Sequence, residues 1–94
     1  SEPVLLRWVS VDLLEPNEWY VVLLYPQTPA ARQFPSVWTK ATSHRIELEY
    51  TPDEGQSAEY AWQVSVVRVL DGEGGAYSLE PASPSSELRR FIWQ

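Results

Sequence analysis

At 94 residues and 44% hydrophobic, with five Trp and five Tyr, the chain is sized for one domain, residues 1–94, built around a single core of two packed layers. The absence of Cys excludes a disulfide framework and a thiolate metal site, and a net charge of -6 with no Lys/Arg cluster argues against a nucleic-acid partner. No apolar run approaches the roughly 20 residues that span a bilayer, so direct membrane insertion is not expected. Ser1-Glu2-Pro3 is not the charged start of a signal peptide, and any targeting segment is expected outside this stretch.

In chain order, short apolar runs with period two alternate with Pro, Gly, Asn and Asp, the pattern of strands separated by turns. It predicts strands near Val4–Val9, Trp19–Tyr25, Val37–Ala41, Arg45–Tyr50, Tyr60–Leu70 and Arg89–Trp93, with a short extra strand over Ala76–Leu79. The turn segments Glu15-Pro16-Asn17-Glu18, Pro26-Gln27-Thr28-Pro29, Thr51-Pro52-Asp53-Glu54-Gly55 and Asp71-Gly72-Glu73-Gly74-Gly75 carry the residues that set φ in tight turns. Only Ser85–Arg90 has a local helical look, and Pro81 and Pro84 before it favour a loop entering a strand equally. Strand-to-strand spacing of this kind suits an antiparallel two-sheet sandwich of six to seven strands, not βαβ units with helix-length crossovers.

In the fifth run, Tyr60, Trp62, Val64 and Val66 fall on one side and Ala61, Gln63 and Ser65 on the other. In the fourth, Ile46, Leu48 and Tyr50 are expected to face inwards against Arg45, Glu47 and Glu49. The second run differs: Tyr20, Val22 and Leu24 are expected in the core, yet Trp19, Val21, Leu23 and Tyr25 form an equally apolar opposite face. Such a face calls for a cover. The segment 26–41 folding back with Phe34 and Trp38 would supply one, and so would a neighbouring domain.

Leu6-Arg7-Trp8, Glu18-Trp19-Tyr20-Val21-Val22-Leu23, Tyr60-Ala61-Trp62-Gln63-Val64-Ser65-Val66-Val67 and Pro84-Ser85-Ser86 followed by Arg90-Phe91-Ile92-Trp93 together resemble the fibronectin type III-like (immunoglobulin-like) accessory modules of bacterial surface and secreted proteins. The resemblance spans almost the whole chain and rests on core positions, so it speaks for fold more than for activity. It implies Trp8 on the second strand of the sandwich, Tyr20–Leu24 on the third, and Tyr60 as the tyrosine-corner residue opening the sixth. Two departures stand out. The segment before Trp8 is short for the family's complete first strand, and Leu48–Tyr60 is long for a tyrosine corner. The resemblance also implies an accessory role in a larger membrane-anchored or secreted bacterial protein, hence an extracellular or cell-surface location.

Candidate chemistry is sparse. His44 is the single His, the sequence has no nucleophile-elbow Gly-x-Ser-x-Gly, and His44 in phase with Ile46 reads as a packing residue; catalysis would need it to meet a carboxylate and a hydroxyl such as Ser43 or Thr42. One His does not make a transition-metal site unaided. Asp71 and Glu73 among glycines lack the spacing of a Ca²⁺ loop, and Asp53 and Glu54 also read as turn residues, so no metal and no cofactor are expected. Arg89 and Arg90 read as rim charges. Trp19, Tyr25 and Trp38 are the candidate partner-binding face, since rings on a sheet stack on sugars or anchor proteins, although the favoured expectation is that the same rings complete the core or cover one sheet. The resulting expectation is a non-catalytic structural or interaction module that spaces or presents neighbouring domains or meets another protein. A carbohydrate-binding module for cell-wall glycan is the alternative, requiring those rings to be exposed.

Overall fold

The computed structural model describes residues 4–9, 13–71, 77–83 and 86–93. Seven strands run through them: β1 (Leu5–Arg7), β2 (Glu18–Pro26), β3 (Val37–Thr39), β4 (Ser43–Arg45), β5 (Ala58–Asp71), β6 (Tyr77–Pro81) and β7 (Arg89–Trp93), with one 3₁₀ turn at Leu48–Tyr50. The protein is therefore all-β, and among the described residues there is no α-helix. All strand pairs are antiparallel, in a two-stranded sheet β1–β4 and a five-stranded sheet in which β2 and β3 lie on one side of β5 while β6 and β7 share the other.

The 14-residue β5 organises the larger sheet. Hydrogen bonds from the Val69 and Gln27 amides to the carbonyls of Asn17 and Glu59 show that odd-numbered residues of β5 turn their backbone towards β2. The even-numbered residues turn theirs towards β6, which pairs with 67–71, and β7, which pairs with 58–62. Between these two partners the ladder would leave β5 amides bare, a costly state for half-buried backbone. Serine side chains close the gap: Ser86 Oγ accepts from Val64 N–H at 2.9 Å and Ser83 Oγ from Val66 N–H at 3.2 Å.

Period two then assigns the faces. Tyr20, Val22 and Leu24 of β2 and Tyr60, Trp62, Val64 and Val66 of β5 turn inwards and are buried with Leu6 of β1, Ile46, Phe34, Ala58 and Trp93 in one core. Rings fill it by oblique contact: Trp8 meets Tyr20 at 5.8 Å and Trp62 at 6.5 Å, and Phe34 meets Tyr50 at 4.3 Å and Tyr60 at 4.9 Å. The Tyr60 hydroxyl donates to the Arg32 carbonyl at 2.7 Å. Its partner thus lies in the β2–β3 connection and not in the residues leading into β5, where a tyrosine corner would find it.

The fourth predicted strand is corrected. It runs over Ser43–Arg45 and gives way to the 3₁₀ turn at Leu48–Tyr50. β1 ends the pairing: the last bond joins Ile46 N–H to Val4 O, and among the described residues no strand pairs with the chain beyond it. The chain closes its bonds locally, with Tyr50 N–H on Glu47 O at 3.1 Å. Ile46 is buried in the core all the same, and Tyr50 packs against it. The helical look of Ser85–Arg90 corresponds to no helix in its described residues: 86–88 are irregular, and Arg89 and Arg90 begin β7. Two predicted turns are built as read. Glu18 N–H bonds Glu15 O across Pro16-Asn17, and Gln56 N–H bonds Asp53 O with Gly55 at φ 81°, the positive φ that the third position of a type II turn requires. The Gly-rich segment 72–76 lies outside the described residues.

Candidate interaction surface

The sequence favours Trp19, Tyr25 and Trp38 completing the core or covering one sheet over lining a contact surface. Register places them: Trp38 lies opposite Val21, Trp19 opposite Val67 and Tyr25 opposite Ala61, all on outward positions of the five-stranded sheet. Tyr25 and Trp38 are 38% and 39% exposed, and Trp19 is half-buried. The three do not converge. Trp19 and Tyr25 are six residues apart on one strand, about 20 Å, whereas Trp38 stands diagonally beside Trp19. Trp38 Nε1 donates to Ser36 Oγ at 3.3 Å, and the Tyr25 hydroxyl accepts from Gln63 Nε2 at 2.9 Å.

Of segment 26–41, the residue that lies over a ring of this face is Lys40, not Phe34 or Trp38. Phe34 enters the core on the other side of the sheet, and Trp38 widens the outer face without covering it. The cover that exists is Lys40. Its Nζ sits 4.3 Å from the Trp19 ring centroid while donating to the carbonyls of Pro16 at 2.9 Å, Glu15 at 3.3 Å, and Glu18. A cation held by carbonyls on one side and an aromatic face on the other occupies the ring surface a sugar would need.

The register also exposes residues that the sequence reading did not select. Following outward positions across the sheet, Trp38, Val21, Trp19, Val67, Val69, Leu79 and Tyr77 make one diagonal apolar stripe over β3, β2, β5 and β6, with Val21 buried within it and Trp19, Val67 and Val69 half-buried. At its far end Leu79 is 59% and Tyr77 74% exposed. The signal was present in Tyr77-Ser78-Leu79-Glu80-Pro81, which alternates apolar and polar, but alternation alone does not say which of the two faces looks at the core.

On the inward face the same pairing aligns Glu18, Arg68 and Glu80 in one rung. Arg68 Nη2 donates to Glu18 Oε2 at 2.9 Å and Nη1 to Glu80 Oε1, while Glu15 N–H donates to Glu18 Oε1 at 2.8 Å. The Glu15 amide, then Arg68, hold the Glu18 carboxyl below its ordinary value of 4.5. The rung ties β2, β5 and β6 together at the end of the sheet.

Of the candidate catalytic groups, His44 is brought near a carboxylate but not to the Ser43 hydroxyl. His44 points inwards opposite Leu6, with its side chain 21% exposed, and the next residue back, Ser43, projects to the opposite face of β4. His44 Nε2 lies 3.5 Å from Glu47 Oε1, an ion-pair separation without hydrogen-bond geometry, and like the buried Trp8 Nε1 it has no hydrogen-bond partner. Asp53 pairs with Arg32 at 3.3 Å, on the surface. Among the described residues no cluster of three or more His, Asp or Glu is arranged to hold a metal ion, and no helix is long and apolar enough to cross a membrane. A shallow cleft lined by Thr28, Pro29, Ala30, Gln56 and Ser57 contains no titratable side chain. No family model matches the sequence, and neither a curated protein nor a solved structure is significantly similar to it.

Proposed function

We propose that the chain is a non-catalytic structural or interaction module of the fibronectin type III-like kind, part of a larger bacterial surface or secreted protein, which meets neighbouring domains or another protein through the outer face of its five-stranded sheet. The observation that carries this reading is the apolar stripe from Trp38 to Tyr77, which lies on the side of the sheet away from the core and ends in exposed rings and aliphatics. Contiguous apolar surface of this kind costs solubility and is characteristic of contact surfaces. The fibronectin-like part of the reading draws support from the pairing order, β1 with β4 and β3–β2–β5–β6, which agrees with the order of that sandwich from its second strand on. The Tyr60 hydrogen bond to the β2–β3 connection is its main departure. The non-catalytic part draws support from the opposite orientations of Ser43 and His44.

A second reading, glycan binding, is favoured by the partial exposure of Tyr25 and Trp38. The Lys40 cap on Trp19 and the separation of Trp19 from Tyr25 weigh against a flat platform of rings. Titration of the isotope-labelled domain with soluble N-acetylglucosamine oligosaccharides separates the two readings. The proposal expects an unchanged spectrum to about millimolar sugar, the weak end of affinity. Saturable shifts confined to Trp19, Tyr25 and Trp38 would replace it with the glycan reading.

A further inference from the structure

The smaller sheet has an edge along β1 that no described strand covers. The bonds from Ile46 N–H to Val4 O and from Trp8 N–H to Thr42 O fix the even residues of β1 as facing β4, so Leu5 and Arg7 turn their backbone groups the other way. Two strands are few for a sheet, since a third is ordinarily needed for independent stability. Leu5 and Val9, 42% and 85% exposed, lie along this edge, whereas the corresponding positions of β4 carry Ser43 and Arg45.

The outer face of the same sheet is cationic. Arg7 and Arg45 are exposed and stand diagonally across the Leu5–Arg45 and Arg7–Ser43 pairs, about 7 to 8 Å apart. The described residues include all seven Lys and Arg of the chain. Arg32, Lys40 and Arg68 are bonded to carboxylates or carbonyls, and Arg89 lies over Trp62. Arg7, Arg45 and Arg90 have neither an ion pair nor a hydrogen bond, and two of these three share the small face. Glu47, two residues beyond Arg45, is turned towards His44 and not towards either arginine.

We propose that the β1 edge takes up an extended segment of another protein, alternating acidic and apolar residues, as a third strand antiparallel to β1. In such a strand the residues that exchange bonds with Leu5 and Arg7 place their side chains on the outer face, beside the two arginines. Their neighbours fall beside Leu6, which is buried, and Trp8, which is half-buried, on the inward face. The first set is therefore acidic and the second apolar. At physiological salt, charges beyond about 8 Å are screened, so the segment meets these two cations more than the net charge of -6. A second copy is a poor occupant, because β1 against β1 about a two-fold axis gathers four guanidinium groups on one face. This edge belongs to the other sheet from the apolar stripe, and the inference does not depend on what covers that stripe.

Titration of the isotope-labelled full chain with the end-blocked octapeptide (Glu-Val)₄ tests it. Saturable binding near the millimolar end of affinity is expected, with shifts and slowed exchange at the Leu5 and Arg7 amides. The peptide (Lys-Val)₄ is expected to bind at least about tenfold more weakly, and Arg7→Glu and Arg45→Glu each to abolish that preference. Both arginines are exposed and unbonded, so each variant is expected to keep the wild-type amide spectrum elsewhere. Two methylated peptides carry the test on the unaltered chain. Methyl groups on the Glu nitrogens remove the donors to β1 and are expected to abolish binding, whereas methyl groups on the Val nitrogens point away and are expected to preserve it. No binding up to about 5 mM, equal binding of (Lys-Val)₄, equal binding of the two methylated peptides, or shifts centred on Ser43 and Arg45 or on Trp19 and Trp38 would each overturn the proposal. So would a chain of twice 10.8 kDa with Leu5 and Arg7 already protected, which would give the edge to a second copy.

Discussion

Tyr60→Phe removes a single oxygen from the centre of the molecule and tests how the core is tied to the β2–β3 connection. The ring is fully buried between Phe34 at 4.9 Å and Phe91 at 5.3 Å, and both contacts survive the substitution. What is lost is the 2.7 Å bond to the Arg32 carbonyl. A neutral hydrogen bond contributes about 1 kcal/mol, and a carbonyl left half-buried without its donor raises the cost towards 2 kcal/mol. For a domain of this size that lowers Tm by roughly 5 to 15 °C. Urea unfolding followed by Trp fluorescence measures it, with the slope unchanged because the same surface is exposed. The pH dependence supplies a second signature. Burial pushes the Tyr60 hydroxyl above its ordinary 10.0, so its contribution is intact below that pH and is lost as pH rises through the folded value. The gap between wild type and Tyr60→Phe should therefore close in alkali. A loss under about 0.3 kcal/mol, or a gap that widens above pH 10, would refute the reasoning.

Ser86→Ala strands the Val64 amide between β6 and β7 and should cost about 1 to 3 kcal/mol in urea unfolding, with faster exchange of that amide. Lys40→Ala removes the cation over Trp19 and its bonds to the turn carbonyls, so Trp fluorescence should shift to the red and stability fall by about 1 to 2 kcal/mol. Acid should also weaken the fold through Glu18. Its carboxyl is held below 4.5 in the folded state, so the contribution is full above that value and drains away as pH falls through the lower folded one; Glu18→Gln should flatten this limb of the stability profile. Trp93→Ala empties one of the largest fully buried sites and should cost about 3 to 5 kcal/mol by the same unfolding assay.

Alternation made the long strands legible. Tyr60 to Val66 reads as a dry face and a half-wet one because β2 pairs with β5 along the whole of that stretch, while β7 and the Ser83 and Ser86 side chains satisfy amides on its other side. The Arg45–Tyr50 stretch alternates just as cleanly yet leaves the sheet after Arg45, because its partner strand is three residues long, and pairing is a property of two segments. The double-sided hydrophobicity of Trp19–Tyr25 pointed to a second contact surface, while the identity of its near cover, Lys40, depended on β3 pairing that brings residue 40 beside residue 19. The exposed end of the stripe was hidden for a related reason. Tyr77 and Leu79 alternate with Ser78 and Glu80, and only the register with Val69 and Asp71 places the apolar pair outwards. His44 was placed by its phase with Ile46, which holds even though the strand around it ends early.

The central claim is that the two faces of the five-stranded sheet divide the aromatic residues between a sealed core and an open contact surface. A soluble gadolinium chelate added to the ¹⁵N-labelled domain reports on all five indole N–H groups at once. The account predicts that the Trp38 signal broadens first, that Trp19 follows only after Lys40 is replaced by Ala, and that Trp62 and Trp93 keep their intensity until the whole spectrum fades. Trp38 protected as well as Trp93, or Trp62 broadened together with Trp38, would contradict it.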